Sequence, residues 1–335
     1  MITASDDRAK AILQWLTTDL GFNITQFEPA SSDASFRRYF RVKHQQQHYI
    51  VMDAPPDKED TAPFIKVAQL FKQAQVNVPD ICQKNTQQGF LLLEDFGSEC
   101  LLDRLNESTV DTLYHDALQS LLTLQSNVDI KTCDLPVYSA ELLQTELLLF
   151  SDWFLAQQCQ LNLNHAQQSI LASCHDFLID SALQQKQVCV HRDYHSRNLM
   201  HLSVNNPGII DFQDAVIGPV TYDAVSLLRD CYIGWSDSQV EKCLTPYYQQ
   251  LKQLDIITCD FSQFQRDFDL MGIQRHLKAI GIFSRLNLRD GKRVYLGDIP
   301  RTLQYVIHVS QRYPELKDFH TFLVETVLPV SKRSL

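Results

Sequence analysis

His191-Arg192-Asp193-Tyr194-His195-Ser196-Arg197-Asn198 is followed, thirteen residues after its last member, by Asp211 in the apolar run Ile209-Ile210-Asp211-Phe212. The spacing is H-x-D-x-x-x-x-N, then a hydrophobic strand ending in Asp. Moving a phosphoryl group asks a protein for positioned charge rather than covalent help. One carboxylate must orient the acceptor hydroxyl and take its proton, and Asp193 fits that part. Two oxygen donors must hold Mg²⁺ against the phosphates, because Mg²⁺ takes hard oxygen ligands and keeps water in its other positions. Asn198 and Asp211 fit that part. The loop ending at Asn198 and the strand ending at Asp211 are expected to bring these side chains together at a lobe interface. A lone H-x-D would serve as well to cap the backbone of a polar turn; the longer pattern is the more specific.

Upstream, residues 6–20 carry Ala9, Ile12, Leu13, Leu16 and Leu20 at helical spacing. Phe36, Arg38, Phe40 and Val42 then alternate with other residues, and 48–53 is a second strand-like run. Ala54-Pro55-Pro56-Asp57 stops both patterns and marks a turn. A helix over 60–75 and strands over 81–84 and 90–94 follow. Strand, strand, helix, strand, strand is the order of a small antiparallel sheet with one helix laid on it. Beyond Asp95-Phe96-Gly97 the periodicity is mainly helical, over 108–125, 139–158, 166–185 and, longest, 261–288. Strand-like pieces at 188–191 and 208–212 bracket the opening motif. The expected fold is α+β and bilobal, of the protein-kinase-like type. A small antiparallel β-rich nucleotide-binding lobe spans 1–96, and a larger helical catalytic and substrate lobe spans 97–335.

Composition narrows the partners. The 335 residues carry a net charge of −10 and no long block of Lys or Arg, so no nucleic acid is expected. Nine cysteines (82, 100, 133, 159, 174, 189, 231, 243 and 259) stand at irregular spacing without a C-x-x-C pair. They read as free thiols in a reducing cytoplasm, not as disulfides or a zinc site. The first ten residues lack the apolar centre of a signal peptide. No stretch nears the ~20 apolar residues that span a bilayer. The expectation is a cytoplasmic protein, with no membrane and no protein partner implied.

Residues around the motif separate kinase types. Protein kinases usually place lysine two residues after the catalytic aspartate, where this chain has His195, and follow Asp-Phe-Gly with a long activation segment. Here Asp211-Phe212-Gln213-Asp214-Ala215 runs almost at once into Gly218-Pro219-Val220-Thr221-Tyr222-Asp223, leaving no segment to dock a peptide. The pattern resembles the aminoglycoside phosphotransferase and choline kinase superfamily, whose acceptors are small hydroxylated molecules. Nearly the whole chain is similar to one bacterial subgroup of it. Residues 30–40 resemble that subgroup's phosphate-covering hairpin, 51–56 its next strand and 92–97 its interlobe hinge; 210–214, 218–230, 274–283, 289–292 and 295–301 continue the likeness. The subgroup is the anomeric N-acetylmuramate/N-acetylglucosamine kinases of peptidoglycan sugar recycling. The resemblance implies the aminoglycoside phosphotransferase fold, ATP and Mg²⁺ as cofactors, and an amino sugar as small-molecule substrate. It implies transfer of the γ-phosphate to the sugar C1 hydroxyl, giving an α-1-phosphate. A kinase of another small alcohol, an aminoglycoside or amino alcohol, would share every catalytic residue. A nucleotide-binding module without catalysis is the alternative from a different class.

Two departures from the wider kinase pattern bear on the nucleotide. The hairpin has no G-x-G-x-x-G, only the small residues Ser31, Ser32, Ala34 and Ser35, which still let backbone N–H groups approach a phosphate. Ser32 and Ser35 are the expected contacts. The strand that normally carries a phosphate-binding lysine has Met52 instead, so the cation must come from elsewhere; Arg37, Arg38 and Arg41 are the candidates. At the hinge, Glu94 and Phe96 are placed by position at the adenine. Arg192, Tyr194, His195 and Asp214 flank the catalytic groups and are expected at the sugar. His195 either meets a sugar hydroxyl or holds the loop through a backbone carbonyl. The helix around Arg275, His276, Lys278, Arg285 and Arg289 is basic for so acidic a chain. Arg275 is the expected substrate contact there, because arginine matches a carboxylate geometrically. Asp223 and Arg229 are expected to brace the large lobe.

Overall fold

The computed structural model describes residues 6–32 and 36–335. They gather into two compact units, Met1–Glu99 with Met200–Asp214, and Cys100–Leu199 with Ala215–Leu335.

The first unit opens with α1 (Asp7–Gln14), which a π turn at Trp15–Asp19 extends, and contains a five-stranded antiparallel sheet. Its strands are β1 (Ile24–Ser32), β2 (Arg38–His44), β3 (Gln47–Asp53), β4 (Ile81–Asn85) and β5 (Phe90–Glu94), in the order β1-β2-β3-β5-β4, with α2 (Ala62–Gln73) between β3 and β4. β1 adds a strand to the expected four. Its Thr25, Gln26, Glu28 and Pro29 do not read as a half-buried strand, but β1 is an edge, where proline's missing N–H costs no ladder bond. The register slips between Pro29 and Ser31. Ile12, Trp15 and Leu16 pack with Phe40, Val42, Val51, Phe90 and Leu92 into one core. Strand period puts Met52 and Leu91 on the opposite pleat, where both are also fully buried.

Residues 200–214 complete this unit from far along the chain. Phe212 packs against Phe64 and Phe71 of α2 with tilted rings, the centroids 4.8 and 5.7 Å away. The Ile209 N–H donates to Asn77 O at 2.8 Å, and the Asn77 amide donates to Asn205 O at 2.6 Å.

The second unit is largely helical. It contains α3 (Leu101–Arg104), α4 (Val110–Asn127), α5 (Ala140–Leu149), α6 (His165–Gln184), α7 (Tyr222–Leu228), α8 (Asp237–Gln253), α9 (Phe261–Asp290), α10 (Ile299–Ser310), α11 (Lys317–Phe322) and α12 (Leu328–Ser334). β6 (Gln187–Val190) pairs antiparallel with β9 (Val216–Pro219); the two-residue strands β7 (Leu199–Met200) and β8 (Gly208–Ile209) lie between them in sequence. β8 ends three residues before the expected strand does, since Asp211 takes φ +61 and breaks the extended run. α9 starts on the Asp260 carboxylate, which accepts the Gln263 N–H at 2.9 Å, and stops at Gly291 with φ +68, the left-handed cap that glycine supplies. A Cβ at Gly281 of α9 would lie 2.4 Å from the Leu149 carbonyl carbon, so here α9 and α5 meet backbone to backbone. Among the described residues no helix is long and apolar enough to cross a membrane.

Candidate active site

In the second unit, β6 delivers the loop that carries Asp193. Two buried carboxylates hold its backbone. Asp223 accepts the N–H of His191 at 2.7 Å and of Arg192 at 3.0 Å. Asp230 accepts both the N–H and the hydroxyl of Ser196, at 2.9 and 2.5 Å. Within the loop, the Asp193 carbonyl accepts the His195 N–H at 3.0 Å and the Asn198 side-chain amide at 3.1 Å. That bond fixes the Asn198 amide, whose oxygen is the kind of donor Mg²⁺ prefers. The Asp193 carboxyl is half-buried. Burial pushes its pKa up, but a positive field led by Lys278 and including Arg275 outweighs this and holds it below the usual carboxylate value. Burial pushes the His195 ring below the usual imidazole value, against the pull of Asp230 and Asp193.

A charge cluster adjoins the loop. Glu146, 4% exposed, takes Arg192 at 2.5 Å and Lys278 at 3.0 Å. The Tyr138 hydroxyl donates to the same carboxylate, as does the Gln274 amide at 3.2 Å. Lys278 also donates to the Tyr222 hydroxyl at 3.1 Å. Burial pushes the Glu146 carboxyl up, and Lys278 and Arg192 more than reverse it. Arg192 sits at φ +76, a conformation rare outside glycine, and lies 5.6 Å over the Tyr138 ring.

In the first unit, Asp211 accepts from the Gln213 amide at 3.0 Å, and the Arg37 guanidinium comes within 3.8 Å of it. Arg38 is committed elsewhere, to Asp6 and to the fully buried Asp53, both at 2.6 Å; Arg8 reaches the same Asp53 at 2.8 Å. Arg41 pairs with Asp95 at 2.6 Å and donates to Gly97 O at 2.7 Å. Of the three hairpin arginines, Arg37 is therefore the one the fold leaves beside Asp211. The exposed Glu94 side chain accepts the Asp80 N–H at 3.2 Å. The Phe96 ring lies where a Cβ on Gly208 would be, 2.4 Å away. Asp214 is exposed and accepts from Gln213 at 3.0 Å. Ser32 ends β1 opposite Arg38, and Ser35 lies outside the described residues.

The sequence model of the Phosphotransferase enzyme family matches residues 26–252. The chain belongs to this family. Over 296 residues it is 46% identical to the N-acetylmuramate/N-acetylglucosamine kinase of Pseudomonas aeruginosa, covering 88% of this chain and 87% of that one. Over 326 residues it is 39% identical to the N-acetylmuramate/N-acetylglucosamine kinase of Neisseria meningitidis serogroup B, covering 96% and 95%. The crystal structure of the ADP-bound aminoglycoside phosphotransferase APH(2'')-Ib is similar at a TM-score of 0.59 and 18% identity, covering 90% of this chain and 97% of that one. The fold is the expected aminoglycoside phosphotransferase type, and the chain is a kinase, which sets aside the non-catalytic reading.

Two sequence expectations change in this phosphotransferase. Tyr194 is not exposed at all and its hydroxyl donates to Ala117 O at 2.7 Å, so it anchors the loop from within and does not face a sugar. His195 does not bind a backbone carbonyl; its Nε2 lies 3.5 Å from the Asn198 amide, its Nδ1 has no partner, and its ring sits edge-on to Tyr232 at 5.2 Å. Asp223, expected to brace the large lobe, holds the backbone of the catalytic loop within it, and Arg229 pairs with Asp269 at 2.7 Å inside the large unit. Sequence reasoning missed Glu146, Tyr138, Gln274 and Asp230. For Glu146 the one signal was a carboxylate on the apolar face of a helix, between Leu143, Leu147 and Phe150.

Proposed function

We propose that this phosphotransferase uses ATP and Mg²⁺ to phosphorylate the C1 hydroxyl of N-acetylmuramate and N-acetylglucosamine, in the cytoplasm, as a step in recycling cell-wall sugars. Relatives aligned over most of both chains are N-acetylmuramate/N-acetylglucosamine kinases, which supports the substrate. The observation that carries the chemistry is Asp193, a half-buried carboxylate that nearby cations hold below the usual carboxylate value, on a loop whose backbone two buried carboxylates hold fixed.

Asp193 orients the C1 hydroxyl and accepts its proton as the sugar oxygen attacks the γ-phosphorus. The bond from that phosphorus to the bridging oxygen breaks, and ADP leaves with the electron pair. Because nearby cations hold Asp193 ionised, the base is ready at neutral pH. Bound Mg²⁺ supplies positive charge to the phosphate oxygens as negative charge shifts onto the leaving group. Asn198 and Asp211 are suited to hold it, since one amide oxygen and one carboxylate are hard donors. Among the described residues no group of three or more His, Cys, Asp or Glu is placed to hold a metal. Two protein donors would leave the remaining positions to phosphates and water, the arrangement Mg²⁺ favours. Arg37, beside Asp211, is the cation we assign to the phosphates in place of the lysine that Met52 cannot supply.

The test is ATP consumption by the purified protein with each N-acetyl sugar, glucose and an aminoglycoside, with and without Mg²⁺. ³¹P and ¹H spectra would locate the phosphate. Mg²⁺-dependent sugar 1-phosphate from the N-acetyl sugars is expected. Turnover on the aminoglycoside alone would overturn the substrate assignment.

A further inference from the structure

Arg275 lies on α9 with 6% of its surface exposed, yet it has no carboxylate partner among the described residues. Its Nε has no hydrogen-bond partner, and its Nη1 meets only the sulfur of Cys231, at 3.6 Å. A guanidinium does not shed its proton inside a protein, and an unpaired buried charge is among the most unfavourable groups a fold can carry. The other basic groups of this helix are accounted for. His276 contacts Arg229 O at 2.8 Å, Lys278 has Glu146, and Arg289 has Asp290 at 2.8 Å. Arg285 also lacks an ion pair, but it is only half-buried, about three turns further along the helix.

The position of Arg275 is informative. Cys231 follows Asp230, which ties down Ser196 of the catalytic loop, and precedes Tyr232, whose ring meets His195. The guanidinium thus stands beside the turn that carries the catalytic loop, close enough for its charge to act on Asp193. Asp230 and Asp193 act on this guanidinium only through their charge; with no direct ion pair among the described residues and no partner for its Nε, the cation is complementary to an anion that could bind it directly.

Building on the proposed function, we infer that Arg275 is a specificity-determining residue that receives the lactyl carboxylate of N-acetylmuramate. N-acetylglucosamine carries a neutral hydroxyl where N-acetylmuramate carries that acid, so the two sugars differ in the group Arg275 selects. Arginine suits the role because its planar fork matches a carboxylate with two parallel hydrogen bonds.

The experiment compares kcat/KM for the two sugars in the wild type, Arg275→Lys and Arg275→Met. The preference for N-acetylmuramate over N-acetylglucosamine should fall by about 10- to 100-fold in Arg275→Met, the range for a charged hydrogen bond, and by less in Arg275→Lys. An unchanged ratio, with both sugars losing equally, overturns the inference and gives Arg275 to the phosphates or the loop. A test on the wild type alone does not depend on a variant folding: the lactyl amide of N-acetylmuramate keeps the shape without the charge. It should lose a comparable factor in kcat/KM, and an amide as good as the acid overturns the inference. Wild-type silence on both sugars sinks the proposed function and this inference with it, whereas turnover without discrimination sinks the inference alone.

Discussion

At the residue scale the site is a matter of which charges are paired and which stay available. Asp193→Asn keeps the shape but removes the proton acceptor. It should lower kcat by about 10²- to 10⁴-fold while nucleotide affinity and melting temperature stay near wild type; a variant with full turnover removes Asp193 from the mechanism. Glu146 is a structural charge that neutralises two buried cations. Glu146→Gln strands Arg192 and Lys278 and should cost about 3–5 kcal/mol at pH 7, read by urea unfolding. The pH dependence follows from the direction of its shift. Its folded pKa is depressed below the ordinary 4.5, so its contribution is present above that value and is lost as pH falls through the folded pKa. The gap between wild type and Glu146→Gln should therefore close in acid, and a constant gap from pH 7 to pH 3 contradicts the account. Asp193, Asn198 and Asp211 stand out in the sequence as candidates because a fixed spacing names them. Glu146 does not, because a carboxylate on a helix usually faces water and only the fold shows that this one does not. Tyr194 was misread for the same reason: a loop sequence does not reveal which of its side chains turns inward.

At the element scale, backbone constraints explain both what was readable and what was not. The helical period of 261–288 foretold α9 almost to its ends, with Asp260 and Gly291 as its stops. β1 stayed hidden because an edge strand tolerates proline and polar residues on both faces. β8 came out shorter than its apolar run because Asp211 turns the chain out of the strand. α9 also carries a testable contact. Gly281→Ala would press a methyl against the Leu149 carbonyl, backbone that cannot swing aside. The substitution should destabilise by about 1–3 kcal/mol, although alanine is the better helix former. A rise in the urea midpoint would show that α5 and α9 do not pack as closely as described.

At the scale of the whole molecule, the expected boundary at residue 96 is a simple cut, whereas the chain is interleaved. Residues 200–214 belong with the first ninety-nine, through Phe212 on α2 and Ile209 on Asn77. Pattern reading could not find this, since a few apolar residues near an Asp carry no label for the helix they pack on. A fragment of residues 1–99 alone should lack cooperative unfolding, and adding a peptide of residues 200–214 should restore helix and sheet signal by circular dichroism. A fragment that folds fully without the peptide removes the segment from the unit. The interleaving also sets an order during synthesis. The sheet emerges from the ribosome first, but its closing segment follows only after roughly a hundred further residues, about ten seconds later at ordinary translation speed. For that interval Phe64 and Phe71 lack the ring that covers them in the finished fold, which leaves an apolar face open to chaperones or to a neighbouring nascent chain.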